Sequence, residues 1–188
     1  MTTEAISSVM PTPSEVAAKR GLARIPLVVR MLFYGIFFLA VVLLGIAGLN
    51  YQIDRIWPAC HIEVGAWRWV GAALFAASLS VYVCTAVLLS RLGEGAFAEF
   101  DPPSRFVRVG PYRWVRNPIS LCVLAMILGE ALALSSTGIF LMLFVSMVIA
   151  HLQATHLEEP LLLRRFGQSY ADYRTEVPRW IPRRPKLS

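Results

Sequence analysis

Charge is what this sequence most lacks. Only 16% of its 188 residues are Asp, Glu, Lys or Arg, where a soluble domain carries about 25%. The deficit is concentrated: residues 31–49 and 69–90, stretches of 19 and 22 residues, hold no charged residue. Each matches the roughly 20 residues that cross ~30 Å of hydrocarbon, and 56% of the chain is hydrophobic. This excludes a soluble enzyme and a disordered chain, and predicts an integral membrane protein. Cysteine is scarce as well. Cys60, Cys84 and Cys122 are too few and too scattered for a disulfide framework or a zinc site. Cys60-His61 is half of a metal site with nothing nearby to complete it, so no metal is expected.

What is present is basic: 18 Lys and Arg against 12 Asp and Glu, a net charge of +6. Their placement suits membrane orientation better than nucleic acid, and no nucleic-acid partner is expected. Only Arg55 and Arg68 fall near the loop between the first two apolar runs; the other 16 lie in the N-terminal flank, residues 91–116 and the C-terminal segment. From Asn117 to His156 the one formal charge is Glu130. That stretch is twice the length of a span and splits at Ser135-Ser136-Thr137-Gly138, a turn-type cluster. The expected fold is therefore all-α and polytopic, with four transmembrane helices. These cover residues 25–49, 67–90, 118–134 and 139–157, the last two forming a tight hairpin. By the positive-inside rule both termini and the middle loop are cytoplasmic. Trp57, Trp67 and Trp69 mark one interface, Trp114 and Trp180 the other. No basic n-region runs straight into a short apolar core, so no signal peptide is expected.

The polar machinery then lies in residues 91–116 and 158–188, where three segments stand out. Asn117-Pro118 is a helix start, Asn being a favoured N-cap and Pro a favoured first residue. It is either a capped end, with Arg113 and Arg116 holding headgroups, or a site where free backbone N–H groups receive an anion. His151, Gln153, Thr155 and His156 carry polarity about two turns into the last span, ahead of Glu158-Glu159. Such depth suggests a pocket open to the cytoplasm, although the two acids alone can simply face water. Leu162, Phe166, Tyr170, Tyr173 and Val177 form one apolar stripe on a C-terminal amphipathic helix. That helix either lies on the membrane or closes over a site, with a break or close packing at Gly167. Glu130, a lone acid, is expected to reach the outer interface or to bond Ser135 or Ser136.

Four pieces of this sequence, in order, resemble the isoprenylcysteine carboxyl methyltransferase family and its relatives among the phospholipid N-methyltransferases. They are Phe100-Asp101-Pro102-Pro103, then Gly110-Pro111-Tyr112-Arg113-Trp114-Val115-Arg116-Asn117-Pro118. After one hydrophobic hairpin come Glu158-Glu159 with Phe166-Gly167-Gln168-Ser169-Tyr170-Ala171-Asp172-Tyr173, and last Val177-Pro178-Arg179-Trp180-Ile181-Pro182. The resemblance spans about residues 92–182. It implies an integral membrane enzyme that takes S-adenosylmethionine on its cytoplasmic side. By position, Ser104, Arg105, Phe106 and Val107 would line the approach to the cofactor and Tyr112 would sit against it. Asn117 and Pro118 would hold its polar end and Glu158 the opposite side, while Tyr170 and Tyr173 close the pocket. Arg116, Ser120 and Glu159 belong to the same set.

Three departures accompany the resemblance. Asn117 stands for the usual His and Ser120 for the usual Tyr. The Arg that prenylcysteine enzymes place before the Glu pair is missing from Gln153-Ala154-Thr155-His156, which argues against a prenylcysteine carboxylate. The resulting expectation is methyl transfer to a lipophilic carboxylate or amine drawn from the bilayer. His156 is the candidate base for a protonated acceptor and Arg179 a candidate headgroup anchor. Two other readings stand beside it: a nicotinamide-dependent membrane reductase, which normally has more spans, and a non-catalytic scaffold or lipid-binding relative. The chain divides as a flexible tail (1–24), two spans (25–90), a cofactor-binding region (91–182) and a basic tail (183–188). Membrane lipids are the only other expected partners, no obligate protein partner being evident. The short loops and the Phe-Asp-Pro-Pro form of the motif lean towards a prokaryotic inner membrane.

Overall fold

The computed structural model describes residues 25, 27–56, 63–93 and 105–184. The expected N-terminal tail, loop residues 57–62 with Trp57, Cys60 and His61, residues 94–104 with Ser104 and the Phe-Asp-Pro-Pro motif, and residues 185–188 lie outside them. Every element described is helical. Helix α1 (Leu27–Ala40) runs through a π-helical turn (Val41–Gly45) into α2 (Ile46–Ile56). Helicity thus continues past residue 49 into what reads as a loop from Tyr51. Residues 51–56 contain neither glycine nor proline, and the first breaker is Pro58. Helix α3 (Trp67–Gly93), a short 3₁₀ turn (Gly110–Arg113), α4 (Pro118–Ala133) and α5 (Thr137–Gln153) follow.

Among the described residues, two helices are long and apolar enough to cross a membrane: Trp67–Gly93, and a continuous helix Thr137–Phe166 that contains α5. Helix α4 is apolar but shorter, 16 residues or about 24 Å at 1.5 Å per residue. Large apolar side chains on the outside, among them Phe33, Leu44, Trp69 and Phe144, are more than 60% exposed. That is the surface a lipid environment covers, not water.

The core lies where α3, α4 and α5 meet, around Tyr82, Cys122 and Met126 and around Ile127, Ala131 and Ile139. Helices α3 and α4 touch backbone to backbone. A Cβ added at Gly71 would sit 2.6 Å from Gly129 O and Ala133 N, and one at Gly129 would sit 2.7 Å from Gly71 O. Small residues at a crossing let dispersion act over a long contact. Thr85 and Ser90 are buried on the same helix, and each hydroxyl donates to its own backbone, Val81 O at 2.7 Å and Val87 O at 2.9 Å.

The hairpin turn falls at residues 134–136, one residue earlier than the turn cluster suggests. Ser136 N–H donates to Ala131 O (3.0 Å) and Ser135 N–H to Leu132 O (3.2 Å), with Ser135 at φ 55°. This is the Schellman arrangement, normally completed by glycine. Ser136 then caps α5, its Oγ accepting from Ile139 N–H at 3.2 Å. Ser135→Gly is expected to raise stability by about 1 kcal/mol, the left-handed conformation costing a residue with a Cβ that much. A thermal melt in detergent checks it. Glu130 does not reach the outer surface: it is 8% exposed, and its Oε2 has no hydrogen-bond partner.

Beyond α5 the helix does not end at the acidic pair. A π-helical turn (Ala154–Glu158) leads into α6 (Glu159–Phe166), and α7 (Gln168–Glu176) follows. Pro160 lacks an N–H and crowds the carbonyl four residues back, and the widened turn just before it accommodates the ring. Gly167, at φ 53°, splits the expected single tail helix in two. The apolar stripe is turned inward: Tyr170, Tyr173 and Val177 are buried and pack on Phe106, Leu162 and Phe166.

Candidate active site

A cavity opens at the polar end of the bundle. Its walls come from five places distant in sequence: Leu89 of α3, residues 105–107 with Tyr112, the first turn of α4, Glu158 at the end of the π-turn, and the buried face of α6 and α7. The hairpin explains the meeting. Two antiparallel helices of similar length return the chain to the end from which it left, so Glu158 comes back to Asn117 after 40 residues.

Phe106 anchors the lid side. Its ring lies 5.3 Å from Phe166, 5.8 Å from Tyr170 and 5.1 Å from Tyr173, the two tyrosines edge-on. The Tyr173 hydroxyl donates to Tyr112 O at 2.7 Å, tying α7 to the 3₁₀ turn. Burial raises the pKa of Tyr112, Tyr170 and Tyr173 above the ordinary phenol range, with neighbouring acidic groups adding to it. All three are therefore neutral phenols near pH 7.

The two glutamates divide. Glu158 lines the cavity and accepts from Gln153 Nε2 at 3.2 Å. Glu159 is 4% exposed and turned away into a cluster of guanidiniums. Arg116 donates to its Oε1 at 2.8 Å, Arg179 to both oxygens at 2.6 and 3.0 Å, and Arg174 lies 3.7 Å away. The bidentate bond to Glu159 raises the pKa of Arg179 above its already high ordinary value. Backbone bonds extend this staple: Arg116 N–H to Pro178 O at 2.9 Å and Arg183 N–H to Trp114 O at 3.0 Å. Trp180 completes it by donating to His151 Nδ1 at 3.2 Å. Glu159→Ala would leave three guanidiniums without their carboxylate, and removing one partner of a buried pair costs about 3 kcal/mol. A clearly lowered melting temperature is the expected result.

Eleven of the thirteen residues that the resemblance points to line this one cavity: Arg105, Phe106, Val107, Tyr112, Arg116, Asn117, Pro118, Ser120, Glu158, Tyr170 and Tyr173. Ser104 lies outside the described residues. Glu159 is not in the wall, for the reason just given, and Arg179 is held by Glu159 rather than open to a headgroup. His156 is on the outer face of the helix, exposed, with Nδ1 2.8 Å from Thr155 Oγ1 and 3.1 Å from Leu152 O. It lines a shallow outer groove with Leu152 and Gln153, away from the cavity. Asn117 precedes α4 as expected, but its side chain makes no capping bond, its φ of −115° and ψ of 62° lying outside the extended conformation usual for a cap. Its Nδ2 is buried in the cavity wall with no partner. Sequence reading misses the apolar wall residues Leu89, Ile119 and Leu161, whose types carry no chemical signal.

A sequence model of the phospholipid methyltransferase family matches residues 66–169, more than half of the chain. The chain belongs to that family. No curated protein and no solved structure matches it. The matched stretch runs from the start of α3 through the hairpin to the first residues of α7, and so contains the crossing glycines, Asn117 and both glutamates. Membership makes this a methyltransferase-family protein, and with two membrane-length apolar helices it points to a membrane protein.

Proposed function

We propose that this phospholipid methyltransferase relative moves a methyl group from S-adenosylmethionine to a lipophilic acceptor held in the bilayer. The observation that carries this reading is the convergence on one cavity of the loop before the hairpin, the start of α4 and Glu158. The side chains there suit such a donor. Asn117 brings a buried amide N–H with no protein acceptor, and a ligand carboxylate or ring nitrogen satisfies it. Glu158 suits an ammonium or ribose hydroxyls. Phe106, Tyr112, Tyr170 and Tyr173 offer aromatic faces and edges for a purine or a sulfonium.

S-adenosylmethionine, when bound, supplies a methyl group made electrophilic by its sulfonium. What remains for the protein is to orient the nucleophile and to exclude water. Asn117 and Glu158 fix the two polar ends, and the inward-facing tyrosines of α7 shut the cavity on its solvent side. A carboxylate acceptor needs no base, and none is assigned, since His156 faces the outer groove.

In this reading α1–α2, α3, α4 and α5 are four spans, with both termini and the cavity cytoplasmic. Arginine placement supports that orientation. Helix α4, at 16 residues, is short for a span and crosses where its partners surround it. The test is to incubate membranes containing the protein with methyl-tritiated S-adenosylmethionine and to extract the lipids. Label in the chloroform phase, absent with Glu158→Ala, supports the proposal. No lipid label from protein that binds S-adenosylhomocysteine overturns the acceptor class. Binding of a nicotinamide dinucleotide instead, or of neither ligand by folded protein, overturns the methyltransferase reading in favour of a reductase or a scaffold.

A further inference from the structure

We infer that Gln153 is a positioning residue, which aims the Glu158 carboxylate into the cavity, and that the π-helical turn between them brings the two into register. The inference rests on the proposed function of that cavity. In a regular α-helix, residues five apart differ by about 140° around the axis and cannot meet. Here Glu159 N–H bonds to Ala154 O, five residues back, so the turn is one residue wider than an α-turn. That widening lets Gln153 Nε2 reach Glu158 Oε1 at 3.2 Å.

The placement is unusual in a second way. Gln153 is half-buried and lines the outer groove beside Leu152 and His156, whereas Glu158 lines the inner cavity. The amide therefore stands in the wall between the two and holds the Glu158 carboxylate from the groove side. A π-turn inside an otherwise regular helix is a local cost that recurs at functional sites. In this chain it has a specific product, a donor placed on a cavity carboxylate. Gln153 belongs to the polar stretch that the sequence singles out, and nothing else in the reaction uses it.

The test is Gln153→Met, which keeps length and shape but removes the donor. S-adenosylhomocysteine binding by calorimetry is expected to weaken about tenfold, the order of effect of one hydrogen bond to a charged group, with an unchanged melting temperature. Gln153→Glu, which sets a second carboxylate against Glu158, is expected to weaken it further and serves if Gln153→Met fails to fold. An independent readout needs no ligand. A hydrophobic carbodiimide takes the proton of a protonated carboxyl, whose oxygen then adds to its central carbon, so losing the donor should speed labelling of Glu158 several-fold, read by peptide mass spectrometry. Wild-type affinity in both variants, or wild-type labelling of Glu158, overturns the inference. Failure of the wild-type protein to bind S-adenosylhomocysteine overturns the proposed function instead, and the labelling contrast still decides the role of Gln153.

Discussion

Glu158→Ala is expected to weaken S-adenosylhomocysteine binding by about two orders of magnitude while leaving the melting temperature close to that of the wild type. The reasoning is geometric. Glu158 faces the cavity and accepts from Gln153 Nε2 on the same helix. Its loss leaves intact the arginine cluster that Glu159 holds together. A bound ligand with an ammonium or a pair of hydroxyls loses one or two charge-assisted hydrogen bonds, each worth about 1.5–3 kcal/mol. The neighbouring carboxylate behaves oppositely. Glu159 holds Arg116, Arg179 and Arg174, so Glu159→Ala lowers the melting temperature first and affects the cavity only through the loosened Arg116. Calorimetry and thermal melts on the two variants side by side separate these roles. Equal loss of stability in both would contradict the division.

The second large effect is at the α3–α4 crossing. Gly129→Leu is expected to prevent the bundle from forming, and Gly129→Ala to destabilise it by about 1–3 kcal/mol, the range for overpacking a closed core. What a new Cβ meets there is backbone, Gly71 O at 2.7 Å and Phe75 N at 2.8 Å, and backbone cannot swing aside as a side chain can. Gly35→Ala is the control, since nothing lies within 4 Å of a Cβ at that position. Size-exclusion profiles and melts in detergent are the readouts. Wild-type behaviour of Gly129→Leu would mean the two helices do not cross there. The consequence reaches the site as well: α3 supplies Leu89 and α4 supplies Asn117 to the same cavity, and their distance is set by how closely the helices pack.

Much of the site is legible in the sequence because its chemistry is carried by turn and cap residues. Gly110-Pro111, Asn117-Pro118 and the serine-rich turn mark where helices start and stop, and a hairpin between them implies that residues 118 and 158 share one end. The helix from Pro118 ends within one residue of its expected limit. Other features depend on tertiary contacts that no local pattern announces. Glu159 reads as a ligand-facing acid until its arginines, 43 and 20 residues away in sequence, are seen around it. His156 reads as a pocket residue because it belongs to the polar stretch ahead of the glutamates. Residues two apart lie on nearly opposite faces of a helix, and here Glu158 faces inward and His156 outward. Gly71 and Gly129 look like any glycine in an apolar span, and only the partner helix shows that neither has room for a methyl group. The tail stripe fixes the amphipathic face correctly, but whether that face meets lipid or protein is decided by Phe106, which lies more than fifty residues before it.

The most direct test of the cavity as the S-adenosylmethionine site is ultraviolet cross-linking of methyl-labelled S-adenosylmethionine to the detergent-purified protein, followed by peptide mapping. The geometry expects label on peptides containing residues 105–118 or 158–173, abolished by excess S-adenosylhomocysteine and strongly reduced in Glu158→Ala. Competable label confined to α1, α2 or the outer turn of the hairpin, or none in protein whose circular dichroism shows it folded, would contradict it.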